Sequence, residues 1–142
     1  MIYTEKPKVF TPKYEIVNCL IEYQDKILLL LRKNNDKSIS NYGLPGGKVE
    51  DKDKNINEAM LREIEEETGL QNLNIKHCRT VYINKPAYGY TYHLYYCLLG
   101  DDVNIKINPT EHKRYIWIHP LLALKEPLVE DLDICIKKFY NI

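Results

Sequence analysis

The sequence predicts one α+β domain in which strands outnumber helices, and three observations predict it. Apolar runs rich in Ile, Leu, Val and Tyr recur along the chain at strand length. Two other segments carry apolar residues at helical spacing, with helix start or stop signals or charges ordered to suit the helix dipole. A chain of 142 residues, 44% hydrophobic and 28% charged, suits a single globular domain over residues 1–142 with room for a real core.

Taken in order, Glu15 to Tyr23 and Lys26 to Arg32 are two apolar runs joined by the polar pair Gln24-Asp25, and they read as a β-hairpin. Asn34 to Asn41 is polar and turn-like, and reads as a loop. Leu44-Pro45-Gly46-Gly47 allows positive φ and close backbone approach ahead of a helix. That helix starts at Asn55 as N-cap, with Glu58 three residues on as the acidic half of a capping box. Ile56, Ala59, Met60 and Ile64 form its apolar stripe, and Gly69 is its stop. Leu73 to Asn84, Tyr90 to Leu99 and His112 to Ile118 read as further strands. Leu128, Leu132, Cys135, Ile136 and Phe139 predict a C-terminal helix, with acids early and Lys137 and Lys138 late, as the helix dipole prefers.

Composition excludes several classes. Twenty basic residues balance twenty acidic ones, so the long-range attraction of a nucleic-acid or anionic-membrane binder is missing. No apolar stretch approaches the roughly 18 residues that span a bilayer. Met1 to Thr11 has no apolar segment of the kind a secretory signal carries. Cys19, Cys78, Cys97 and Cys135 lie far apart, without the close pairs of a zinc site or the density of a disulfide scaffold. They are expected to be reduced core thiols of a cytoplasmic protein.

Neutral overall does not mean neutral everywhere. Residues 41–70 hold four basic and eight acidic side chains and four of the six glycines. Within them lies Arg62-Glu63-Ile64-Glu65-Glu66-Glu67-Thr68-Gly69. On a helix, Glu63, Glu66 and Glu67 are three and four positions apart and share one face, where like charges repel. Because Gly69 ends the helix, these acids also crowd the end whose dipole prefers cations. Each effect is unfavourable by about 0.3–1 kcal/mol, and Arg62 offsets only part of it. A solvated acidic face does not explain why the acids gather at the wrong end. A divalent cation removes both penalties at once, and Mg²⁺ or Mn²⁺ suits carboxylate oxygens. Gly46 and Gly47 just upstream let backbone groups approach a metal or phosphate.

The run from Gly46 to Leu70 resembles the Nudix box, G-x5-E-x7-R-E-U-x-E-E-x-G-U with U aliphatic, and matches its second half completely from Arg62 to Leu70. The resemblance implies an α/β/α sandwich with a mixed central sheet, a box helix and a C-terminal helix. It implies metal-dependent hydrolysis, with Mg²⁺ or Mn²⁺, of a nucleoside diphosphate linked to another group. Carried over residue by residue, Glu63, Glu66 and Glu67 resemble the metal-binding carboxylates, the Gly46 carbonyl a backbone ligand, and Arg62 the arginine that orients them. Arg32 stands where MutT-like members contact phosphate. Glu111, ahead of His112 and Trp117, stands where many members place a further ligand or general base. In the first half of the box the chain departs from the pattern. The distance from Gly47 to Arg62 is one residue longer than in the family, and the box glutamate falls at Asp53 or Lys54.

Small size, Arg32 and the Leu-Pro-Gly-Gly-Lys-Val-Glu run resemble MutT-like enzymes, which cleave nucleoside triphosphates to a monophosphate and pyrophosphate. Pro86, sixteen residues past the box, resembles instead a marker proline of ADP-ribose pyrophosphatases. Tyr88, Tyr90 and Tyr92 have aromatic faces on which a base could stack, Tyr88 foremost, with Gly47 beside the phosphates. The expected partner is a small nucleotide, with no nucleic acid and no membrane, bound by a monomer or homodimer. A Nudix-like binder without activity is the alternative of another class.

Overall fold

The computed structural model describes residues 1–33, 40–101 and 103–142, so most of the expected loop at Asn34 to Asn41 lies outside the described residues. Eight strands form one mixed sheet: β1 Ile2–Tyr3, β2 Pro12–Tyr23, β3 Lys26–Arg32, β4 Tyr42–Gly43, β5 Gly46–Lys48, β6 Lys76–Asn84, β7 Gly89–Leu98 and β8 His112–Ile118. Three helices accompany it: α1 Ile56–Thr68, the short α2 Pro120–Ala123 and α3 Leu132–Tyr140. The main path of the sheet is β1-β6-β7-β2-β3-β4, with β5 on β2 and β8 on β3. β2 and β7 run parallel over their length, and the other pairings are antiparallel.

The hairpin turns where expected. Gln24 and Asp25 both have positive φ, 50° and 64°, the left-handed pair that fits the twist of two adjacent strands. β2 then serves neighbours on both edges. β7 lies along one side, while β3 at its Glu22 end and β5 at Ile16 to Asn18 share the other.

Alternation along the strands makes two cores. Val17, Cys19 and Ile21 of β2, with Leu28 and Leu30 of β3, pack under Ala59, Met60 and Ile64 of α1. Leu20, Ile27, Leu29 and Leu31 pack on the opposite face with Leu132 and Ile136 of α3. The unbroken apolar run of β3 is thereby explained, since both faces of that strand are covered. This is the α/β/α sandwich.

α1 has its expected caps. The Asn55 side chain accepts from the Glu58 amide, and Gly69 closes the helix at φ 79°. Three expectations change. Gly46 and Gly47 form strand β5 rather than a positive-φ turn, because their edge pairs with Val17 and Asn18. The C-terminal helix starts at Leu132, since Pro127 to Val129 is strapped to Tyr42 by backbone hydrogen bonds. Cys78 is exposed on β6 rather than in the core, while Cys19 and Cys97 are buried. No described helix is long and apolar enough to cross a membrane.

Leu30, fully buried under α1, and Leu121, 53% exposed, give the packing a direct test. Chemical denaturation should show Leu30→Ala losing about 2–5 kcal/mol and Leu121→Ala changing by no more than about 0.5 kcal/mol.

Candidate active site

The acidic end of α1 divides its glutamates between two environments. Glu63 and Glu67 are 9% and 6% exposed and sit among Met60 and Ile64 on the face turned to the sheet, whereas Glu66 is exposed. What lies opposite is β5, and it is bare backbone for a reason. A Cβ at Gly47 would fall 2.6 Å from the Glu63 carboxylate, and one at Gly46 would fall 2.0 Å from Asn18 Oδ1. The Gly46 amide donates to Glu67 Oε1 at 2.7 Å.

Arg62 organises the rest. Its Nε and Nη2 donate to the two oxygens of Asp53 at 2.8 and 2.9 Å, a two-pronged fit that is the strongest geometry available to this pair. Nη2 also donates to the Lys48 carbonyl at 3.1 Å, and Nη1 reaches Glu63 at 3.1 Å and Glu66 at 3.3 Å. The Glu50 amide donates to Asp53 in turn, at 2.8 Å. The Arg62 hydrogen bond, aided by that amide, holds the Asp53 carboxyl down at about 2, and Asp53 holds the guanidinium well above its usual range.

The box acid is therefore Asp53, and Lys54 is not its counterpart. The side chain is a methylene shorter than glutamate, and the additional residue lies in the segment between β5 and α1, from which Asp53 still reaches Arg62. Sequence reading left this position open because spacing alone does not show which side chain a loop turns inward.

Glu111 is exposed on the turn before β8, yet it comes to the cluster: ligand atoms of Glu67, Glu111 and His112 all lie within 4.8 Å of one another. Arg32, paired with His112 on the neighbouring strand, is close enough for its charge to act on Glu67. The arrangement thus brings together Gly46, Gly47, Arg62, Glu63, Glu66, Glu67, Glu111 and Arg32.

Tyr88 sits elsewhere, on the β6–β7 turn, in an aromatic group with Tyr14 and Tyr90; Lys13 lies over the Tyr88 ring and Lys48 over Tyr14. Tyr90 and Tyr92 line a cavity of about 540 Å³ between the sheet and α3. Asn18 forms part of the same wall, donates to the Tyr92 hydroxyl at 3.1 Å and pairs with Gly46, so the cavity lies across the sheet from the carboxylates. Glu130 and Asp131 stand at its α3 side. Asp131 heads α3 at φ 68° without a side-chain capping bond. Sequence reading missed Asn18, Glu130 and Asp131; an acid pair at a helix start reads first as dipole compensation.

These residues fit a hard divalent cation. The donors are carboxylate oxygens, held in a cradle that a side chain at Gly47 would fill. Burial raises the pKa of Glu67 to about 8, Glu63 and Glu111 add to the shift, and the Gly46 amide and Arg32 oppose it. Burial likewise raises that of Glu63, against the pull of Arg62. A metal replaces the proton that Glu67 otherwise retains.

Comparison with known proteins agrees. The NUDIX domain family model matches residues 13–139. Among solved structures, the NUDIX domain of Shewanella oneidensis NrtR, complexed with ADP ribose, superposes with TM-score 0.78 at 23% identity, over 96% of this chain and 92% of that one. A MutT NUDIX hydrolase from Burkholderia pseudomallei gives 0.70 at 25% identity, over 87% and 95%. The dihydroneopterin triphosphate pyrophosphohydrolase of E. coli gives 0.73 at 21% identity, over 93% and 97%. No curated protein matches at the sequence level. The chain belongs to the NUDIX family.

The raised Glu67 pKa has a signed consequence. Above its unfolded value near 4.5, the metal-free folded chain keeps a proton that the unfolded chain releases. That stabilising contribution is complete below about pH 4.5 and is lost as pH rises through about 8. In chelator, Glu67→Gln should gain thermal stability over the parent increasingly between pH 5 and 8.5, and Mg²⁺ should protect the parent more than the variant. A difference independent of pH would remove Glu67 from this role.

Proposed function

We propose that the protein hydrolyses a phosphoanhydride bond in a nucleoside diphosphate linked to a further group, with Mg²⁺ or Mn²⁺ as cofactor, and that a nucleoside triphosphate, cleaved to monophosphate and pyrophosphate, is its substrate. The observation that carries this reading is the buried pair Glu63 and Glu67 against Gly46 and Gly47, in a sheet whose other face opens into a nucleoside-sized cavity.

The cation supplies charge neutralisation along the diphosphate and acidifies a water. The chain's own residues do the rest. Arg62, locked by Asp53, holds Glu63 and Glu66 at the site, and the Gly46 amide fixes Glu67. Glu111, beside Glu67, has two carboxylate oxygens to divide between the cation and the proton of the attacking water, because it is exposed while Glu63 is committed to Arg62. Arg32 contacts phosphate beside Glu67. The cavity walled by Asn18, Tyr90 and Tyr92 receives the nucleoside, with Asp131 facing its polar edge and Tyr88 extending the aromatic surface outward.

ADP-ribose is the second reading. Pro86 lies in the turn closed by the Lys85 amide on the Tyr88 carbonyl at 2.8 Å, next to Tyr88 itself. The similar NrtR domain was solved with ADP ribose.

A panel of nucleoside triphosphates (oxidised ones included), ADP-ribose, dinucleoside polyphosphates and nucleotide sugars, with products identified, decides between them. Monophosphate and pyrophosphate from a triphosphate, released only with metal, is the expected result. Metal-independent binding without product would instead favour the inactive binder. Glu111→Gln should lower kcat by about 10²–10⁴. Arg32→Ala should raise KM for a triphosphate more than for ADP-ribose, and equal changes would overturn the triphosphate assignment.

A further inference from the structure

We infer that His112 is a ligand of the cation held by Glu67 and Glu111, so that this site prefers first-row transition ions to Mg²⁺. The inference rests on the cation-dependent reading above and goes beyond it in adding a nitrogen donor and a metal preference.

The first observation is the condition of the imidazole. His112 is 6% exposed, and its Nδ1 is buried with no hydrogen-bond partner among the described residues. Its Nε2 lies 4.0 Å from Glu67 Oε2, too far for a hydrogen bond. A buried imidazole is normally satisfied, so one whose buried Nδ1 has no partner among the described residues, and whose Nε2 stops 4.0 Å short of Glu67, has been placed for something else. The gap to Glu67 is about twice an ordinary metal–donor distance of roughly 2.0–2.2 Å, so one cation can serve both atoms.

The second observation is how the ring comes to face Glu67. Pairing between β3 and β8 is regular from Ile27–Ile118 to Leu31–Arg114, and then shifts so that Arg32 pairs with His112. Lys113 is the additional residue of this bulge. Regular alternation would have turned the Lys113 ammonium to the α1 face at this point and His112 to the other. The bulge puts an imidazole there instead, which is the usual work of bulges beside active sites. Together with Glu67 and Glu111, it makes a three-residue donor set whose ligand atoms lie within 4.8 Å of one another.

A nitrogen donor changes which ion is held. Carboxylate, carbonyl and water suit Mg²⁺ and Mn²⁺, whereas an imidazole adds affinity for first-row transition ions in a series that rises from Mn²⁺ through Co²⁺. The full-length protein should therefore bind Mn²⁺ and Co²⁺ ahead of Mg²⁺ in calorimetric titrations with the chloride salts. Mn²⁺ bound to the parent should show ¹⁴N modulation in its electron spin echo. His112→Phe, which fills the same space, should lose that signal and weaken Mn²⁺ and Co²⁺ by about 10–100-fold, with a much smaller change for Mg²⁺. His112→Gln, which supplies an oxygen donor, should hold Mg²⁺ at least as well as the parent, without the nitrogen signal. Mn²⁺ bound to the parent without nitrogen coupling would overturn the assignment, as would an equal loss for all three ions in both variants. A parent that binds none of the ions would overturn both this assignment and the hydrolase reading beneath it.

Discussion

Glu63 and Glu67 occupy positions on α1 that face the sheet, where the same helix elsewhere places Met60 and Ile64. Burying a carboxylate costs several kcal/mol unless its charge is met, and burying two side by side adds their repulsion. Much of the surrounding architecture answers that one demand. The strand opposite is stripped of side chains at Gly46 and Gly47, an amide is turned onto Glu67, and a guanidinium is turned onto Glu63. The remaining negative charge is what a dication, and behind it a phosphate chain, would meet.

Arg62 transmits this demand into the segment that joins β5 to α1. One guanidinium touches Asp53, the Lys48 carbonyl, Glu63 and Glu66, so the strand, the connecting segment and the helix are tied at a single point. The guanidinium is fit for that because its donors are rigid and planar; an ammonium could not hold both oxygens of Asp53 in the same way. Asp53 lies in that segment and meets Arg62 with both carboxylate oxygens.

The sheet divides the labour between its faces. On the α1 side it carries the carboxylates and a packed core; on the α3 side the same strands open into the cavity walled by Asn18, Tyr90 and Tyr92. Asn18 joins the two, since it pairs with Gly46 in β5 and bonds to Tyr92 across the parallel pair β2–β7. The strap from Pro127 to Val129 onto Tyr42 sets where α3 begins, and hence where Glu130 and Asp131 stand.

What the amino-acid order settled by itself was local. The Asn55 cap, the Gly69 stop, the Gln24-Asp25 turn, the spans of β3 and β8 and the grouping of three glutamates on one helix face all follow from propensity and periodicity over a few residues. The resemblance to a family motif pointed further, to Arg62, Gly46 and Glu111. Tertiary structure decided the rest: that Glu63 and Glu67 are buried while Glu66 is not, that Asp53 rather than Lys54 meets Arg62, that Gly46 and Gly47 form a strand edge, and that a bulge turns His112 inward. Each of these depends on a partner distant in the chain, and a side chain's environment is set by the atoms that pack against it, which spacing along one strand or helix does not contain.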